Sequence, residues 1–184
     1  NMDKIILILS LLLTSAFFSS TQKQAYAQTP FTPQMAQQYY QTCLQQKDER
    51  MTGETQDIFC KCTASQTTKM SVEEFQAMAR QDQSGRDATN KMILNVYAPC
   101  MEFPVRDLVF GKCQQNAYQA GAQICGCLAN NMATYGRERA VKDLPQILAQ
   151  NPNVYDPMEA IVSSPSYENM EKRIALGCIQ GEYQ

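Results

Sequence analysis

The chain has 184 residues, of which 44% are hydrophobic and 18% are charged, and its formal net charge is −2. These values are ordinary for a globular protein and leave room for one medium domain or two small ones. The sequence has no histidine, which excludes Ser-His-Asp and Cys-His catalysis, imidazole metal ligation and c-type haem attachment. Because the charge balance gives no broad basic face, nucleic acid is not expected as a partner.

Residues 1–27 have the three parts of a secretory signal peptide. Lys4 supplies the positive charge, residues 5–18 form the apolar run, and Ala25-Tyr26-Ala27 is a typical cleavage site. The run is too short to cross a bilayer comfortably, and no later stretch is long and apolar enough to do so. We therefore expect a secreted or periplasmic protein without a transmembrane segment after cleavage; an uncleaved anchor is the alternative.

Four helices are predicted in the first half of the mature chain. They cover residues 34–46, 55–69, 71–79 and 88–98. Thr32 and Pro33 form an N-cap and a first-turn proline, and Ser71 followed by Glu74 forms a capping box. The pair Ser84-Gly85 predicts a polar break before the fourth helix.

The second half begins with an apolar connector, residues 101–111, in which Pro104 is expected to interrupt regular structure. Helices are then predicted over residues 112–135, 143–148, 155–162 and 166–179. A break near Gly121 is left open, and Gly136 is a plausible C′ glycine. Because no useful length of chain alternates with the period of a strand, we predict an all-α fold.

The eight cysteines form the pattern C…CxC…C twice. The first set is Cys43, Cys60, Cys62 and Cys100, and the second is Cys113, Cys125, Cys127 and Cys178. In an exported protein, an even number of cysteines is typical of a disulfide framework. We predict an internal repeat of two tandem helical modules, residues 28–103 and 104–184, each stapled by its own four cysteines and packed against the other.

The spacing within each CxC limits the pairing. On a helix, residues i and i+2 project about 200° apart, so the two cysteines of one CxC cannot easily bond each other. Cys43 and Cys100 should therefore each pair with one member of the first CxC. The second half should follow the same rule, with Cys113 and Cys178 as the outer cysteines. Which member takes which partner is left open.

A thiol-based function is the alternative to structural staples. Thiolates suit Cu(I) and Zn²⁺, and a strained disulfide can take part in exchange. However, only Lys61 lies where it could lower a thiol pKa, and C-x-C differs from the C-x-x-C of thioredoxin-like enzymes. The staple is the favoured interpretation.

Other candidate groups also have simpler structural explanations. Isolated methionines could be copper ligands, but core filling is the favoured role for Met35, Met70, Met78, Met92 and Met132. Glu73 and Glu74 are better explained as capping residues than as catalytic carboxylates. No catalytic, cofactor-binding or metal-binding residue is therefore assigned, and no cofactor is expected.

In architecture alone, the stapled helices resemble three known families: the twin-CX9C proteins, plant lipid-transfer proteins and saposin-like domains. None of their cysteine patterns fits. Neither half has the CX9C spacing twice, lipid-transfer proteins have an adjacent Cys-Cys pair and one CxC, and saposin-like domains use six cysteines without CxC. No family is assigned, and no functional residue is carried over from these resemblances.

The sequence therefore predicts an exported, disulfide-rich helical protein, and it favours a non-enzymatic role over catalysis. We expect a binding or structural component of the periplasm or cell envelope, with a protein partner or a small apolar ligand. Metal carriage or disulfide exchange at a CxC is the second hypothesis. Lipid or small apolar ligand binding between helices is the third, and it requires a large apolar pocket.

Overall fold

The computed structural model describes residues 28–115, 121–151 and 156–184, and these residues fold as an all-α protein, as predicted. The predicted signal peptide lies outside them. The described helices are α1 Pro33–Gln45, α2 Gly53–Gln66, α3 Val72–Ala77, α4 Gln83–Met92, α5 Glu102–Gln115, α6 Ala122–Tyr135, α7 Val141–Gln150, α8 Pro157–Val162 and α9 Pro165–Gln180. Within the described ranges, extended pairing is limited to an isolated bridge between Pro30 and Ser71.

Side-chain caps set several of the helix starts where the sequence predicts them. The Thr32 hydroxyl accepts from the backbone N–H of Met35, with Pro33 at the first position of α1. Ser71 and Glu74 form the reciprocal capping box of α3. These hydrogen bonds satisfy backbone donors that a helix leaves free at its N-terminus.

The predicted break at Ser84-Gly85 is wrong, because both residues lie inside α4. The Asp82 side chain caps the helix by accepting from the N–H of Gly85 at 3.0 Å. Gly85 is needed here because a Cβ at this position would lie 2.0 Å from the backbone oxygen of Arg80. The glycine therefore permits a close backbone approach instead of forming a turn.

The predicted connector over residues 101–111 is instead most of α5, so the expectation of irregular structure is wrong. Pro104 lies in the first turn of α5, where a missing N–H leaves no hydrogen bond unmade. Val105 and Val109 are buried in the core, which agrees with the apolar character of this stretch.

Gly136 is also not a helix stop. Its φ is −57°, and α6 passes through a wider π-type turn, Gly136–Ala140, directly into α7. A Cβ built at Gly136 would lie 3.5 Å from Cγ2 of Val105, so this position packs against the Val105 side chain. Packing against α5 therefore continues the helix where a local signal predicted its end. Gly121, in contrast, does precede a new helix, α6.

The main core is shared by the two halves. Phe59 and Ile93 of the first half belong to the same buried cluster as Met132 and Leu144 of the second. Helix α5 packs on α6 and also contacts α2, so it lies between the two sets of helices. The proposed module boundary after residue 103 remains a prediction.

All eight cysteines form disulfides, and each bond stays within its own half. The pairs are Cys43–Cys60, Cys62–Cys100, Cys113–Cys125 and Cys127–Cys178. In both halves the first cysteine of the CxC pairs backward along the chain and the second pairs forward. The structure thereby shows which cysteine of each CxC takes which partner, a question that the sequence left open.

Candidate functional site

A groove of about 770 Å³ lies between α1, α2 and α4, with α8 at one end. This volume falls in the range of small-molecule pockets, about 300–1,000 Å³. Its lining is largely apolar and includes five aromatic side chains. It also includes six methionines: Met35, Met51, Met78, Met92, Met101 and Met158.

One face of α1 lines the groove from end to end. The side chains are spaced as a helical stripe: Met35, Gln38, Tyr39, Thr42, Cys43 and Gln46. No residue of α1 is fully buried. The stripe therefore borders an open groove, with Met35 and Tyr39 only half-buried.

Covalent and polar contacts fix α1 to α2. Cys43 is bonded to Cys60, and the Tyr40 hydroxyl donates to Asp57 at 2.5 Å. The Gln56 amide donates to the carbonyls of Cys43 and Gln46 at 3.0 and 2.8 Å. These contacts hold the groove wall in place without filling the groove.

The groove end near the start of α1 is aromatic. The Phe31 and Phe75 rings lie 5.4 Å apart, and Tyr39 meets Phe75 edge-on at 6.3 Å. Phe31 is buried because the segment before it is anchored: Thr29 donates from its N–H and hydroxyl to Glu73 at 3.0 and 2.6 Å. The anchored segment closes this end with an apolar wall.

Two tyrosines place hydroxyl groups in the wall. Burial raises the pKa of Tyr39 well above its ordinary value, and the neighbouring Tyr97 raises it further. The Tyr97 ring stacks on Phe59 with centroids 6.1 Å apart. The Tyr39 hydroxyl is therefore neutral near neutral pH.

The opposite end of the groove is charged. Arg50 donates from Nη1 to Asp156 and from Nη2 to Asp48, both at 2.6 Å. The hydrogen bond from Arg50 lowers the pKa of Asp48, and the pKa of Arg50 is raised, first by Asp48 and also by Asp156. Asp48 and Arg50 are thus ionised near neutral pH.

Sequence reasoning misses this charged end. Arg50 and Asp156 are 106 residues apart, and Arg50 lies in the turn before α2. Asp156 is the N-cap of α8, accepting from the N–H of Met158 at 2.9 Å. The available sequence signal, Asp before Pro157, predicts a cap and says nothing of an ion pair.

The predicted disulfide residues surround this site only in part. Cys43 lines the groove, whereas Cys60, Cys100 and Cys125 are completely buried. No cysteine is free in the described chain. Exchange requires a thiolate to reach a disulfide sulfur, so the burial of at least one partner in each of the four bonds restricts it.

The other candidate residues are divided between groove and core. Met35, Met78 and Met92 line the groove, Met70 packs with Met92 and Val96, and Met132 is in the main core.

The two candidate glutamates have structural roles. Glu74 completes the capping box and pairs with Lys91, and Glu73 accepts hydrogen bonds from Thr29. Neither glutamate lines the groove. Lys61 pairs with Asp57.

No helix in the described ranges is long and apolar enough to cross a membrane. No protein-family model, curated protein or solved structure matches this chain, so the groove is interpreted from its own geometry.

Proposed function

We propose that this chain is an exported, disulfide-stapled binding protein of the periplasm or extracellular space. Its ligand is a small apolar molecule, of the size of a single-chain lipid, held in the groove. The observation that carries this proposal is the open groove of about 770 Å³ between α1, α2 and α4, which is lined by six methionines and five aromatic side chains.

The apolar lining favours a long aliphatic chain over a ligand of a few atoms. Burial of each methylene contributes about 0.8 kcal/mol, so about fifteen methylenes contribute about 12 kcal/mol. Association costs at least about 4 kcal/mol before any net affinity is seen. Methionine side chains adapt to irregular ligand shapes, which suits a wall containing six of them.

The disulfides support binding by holding the groove open before the ligand arrives. Cys43–Cys60 fixes α1 to α2. Cys62–Cys100 fixes the turn Ala98–Cys100, which follows α4 in the chain, to α2 as well. Helices α1, α2 and α4 form the long walls of the groove. A wall ordered in advance reduces the entropy lost on binding.

A thiol-based function has less support, because the cysteines form disulfides. In addition, two of the four CxC cysteines, Cys60 and Cys125, are fully buried. A non-enzymatic role remains part of the proposal. The charged groups that line the groove are already paired within the protein, since Arg50 pairs with both Asp48 and Asp156.

Binding of the neutral fluorescent probe N-phenyl-naphthylamine tests the proposal. The native chain has no tryptophan, so its own emission interferes little. Thr42→Trp places a large ring in the groove, whereas Gln41→Trp places the same ring on the neighbouring exposed position outside it. We expect probe binding by the native protein and Gln41→Trp, and its loss in Thr42→Trp. Equal binding by the two variants would contradict a groove site.

A further inference from the structure

We propose that the ligand is amphiphilic and lies in one direction, with its polar group at Arg50 and the end of its chain at Phe75. This inference rests on the proposed function and adds the ligand class and its orientation. It follows from the unequal ends of the groove.

The two ends lie at opposite ends of α1. Phe31 precedes its first residue, and Asp48 and Arg50 follow its last. Thirteen residues of helix span about 20 Å, so the groove runs for about that length. An extended single chain fits this shape better than a compact ring system.

The charged side chains are concentrated at one end of the groove. Among the described residues that line the groove, the charged ones are Asp48, Arg50 and Asp156, which touch one another. Arg50 and Asp156 remain 38% and 43% exposed in their side chains, so water or a ligand can reach them. Covering these ions with hydrocarbon would remove hydration without replacing it. A polar group placed there keeps hydrogen bonds available to both.

At the other end, the described residues that line the groove include no charged side chain. Phe31, Phe75 and Tyr39 pack together there, and the nearby Thr89 hydroxyl already donates to the carbonyl of Gly85. A head group at this end would lose its hydration, whereas a methyl end would bury apolar surface. Both ends therefore favour the same direction.

Bromine quenching of an introduced tryptophan measures this direction, since the chain has none of its own. Phe75→Trp reports on the aromatic end and Gln46→Trp on the charged end. Met35→Trp is a second reporter for the aromatic end, should replacement of Phe75 impair folding. The probe is ω-bromododecanol, and unbrominated dodecanol is the control for binding without quenching.

We expect ω-bromododecanol to remove a larger fraction of the emission of Phe75→Trp or Met35→Trp than of Gln46→Trp. Equal quenching at the two ends, or stronger quenching at Gln46→Trp, would overturn the orientation. If dodecanol does not displace N-phenyl-naphthylamine, or that probe does not bind at all, the proposed function itself fails and the orientation fails with it.

Discussion

Gly85 lies against the backbone of Arg80 so closely that a Cβ would come within 2.0 Å of its carbonyl oxygen. The contact lets α4 start immediately after the loop that leaves α3. A backbone atom cannot move aside as the end of a flexible side chain can. The contact therefore gives a direct test of the local geometry at the start of α4.

Gly85→Ala should destabilise the protein by about 1–3 kcal/mol, the range for overpacking a closely packed site. Gly126→Ala is the matched control, because Gly126 lies inside α6 with nothing within 4 Å of its Cβ position. There, alanine should stabilise by about 0.5–1 kcal/mol. Urea unfolding of both variants measures the difference, and equal effects would contradict the contact at Arg80.

The disulfides should differ in their contribution according to the length of chain that they close. Cys113–Cys125 spans 12 residues and Cys127–Cys178 spans 51. Loop-closure entropy gives about 3 kcal/mol for the first and about 4 kcal/mol for the second. Replacing each pair by alanine should therefore cost about 1 kcal/mol more for Cys127–Cys178. A larger loss for the short loop would show that packing, not loop length, sets the order.

Acid should weaken the charged end of the groove through Asp48. Its folded-state pKa is lowered, mainly by the hydrogen bond from Arg50, so the charged form is favoured in the folded protein. The resulting stability is complete above the ordinary value of 3.8 and is lost as the pH falls through the lower folded pKa. Asp48→Asn should lose this contribution near neutral pH and flatten the dependence below 3.8.

Glu49→Gln, which removes the neighbouring exposed carboxylate, is the control for a change in net charge. Chemical unfolding across acidic pH compares the two variants with the native protein. If both flatten the curve equally, the effect is one of overall charge and not of the Arg50 pair.

Alkaline pH should weaken the groove wall through Tyr39. Burial raises the pKa of Tyr39 above its ordinary value of 10.0, so the unfolded chain releases this proton more easily. The stability is complete below that value and is lost as the pH rises toward the folded pKa. Tyr39→Phe should therefore lose less stability than the native chain on going above pH 10.0, as measured by chemical unfolding across alkaline pH. A native-like curve for Tyr39→Phe would argue against the buried hydroxyl.

The disulfide framework could be predicted from sequence because its information is local. Spacing of i and i+2 on a helix sends the two cysteines of each CxC toward different partners. The backward choice, Cys60 to Cys43, depends on how α2 is rotated against α1, which is a tertiary property. The caps at Thr32 and Ser71 were predictable for the same local reason.

The errors occur where tertiary contacts override local signals. Gly136 is compatible with a helix end, but packing of its turn against Val105 carries the chain on into α7. Pro104 is compatible with an irregular connector, yet the first turn of α5 accommodates it. In each case the residue permits two structures, and its neighbours in space select one.

The sequence suggested an apolar pocket between helices only as the third of three hypotheses. The stripe of Met35, Tyr39 and Cys43 is visible in the sequence, but an apolar stripe does not show whether protein or ligand covers it. The charged end needs Arg50 and Asp156 to meet across 106 residues, which no local pattern encodes.

Native mass spectrometry of the protein, purified from an exporting host, tests the central claim most directly. We predict a chain with four disulfides that carries a non-covalent lipid-sized adduct, retained in Gln41→Trp and absent from Thr42→Trp. A chain that carries no adduct in any form, and that also fails to bind N-phenyl-naphthylamine, would contradict the account of the groove as a binding site.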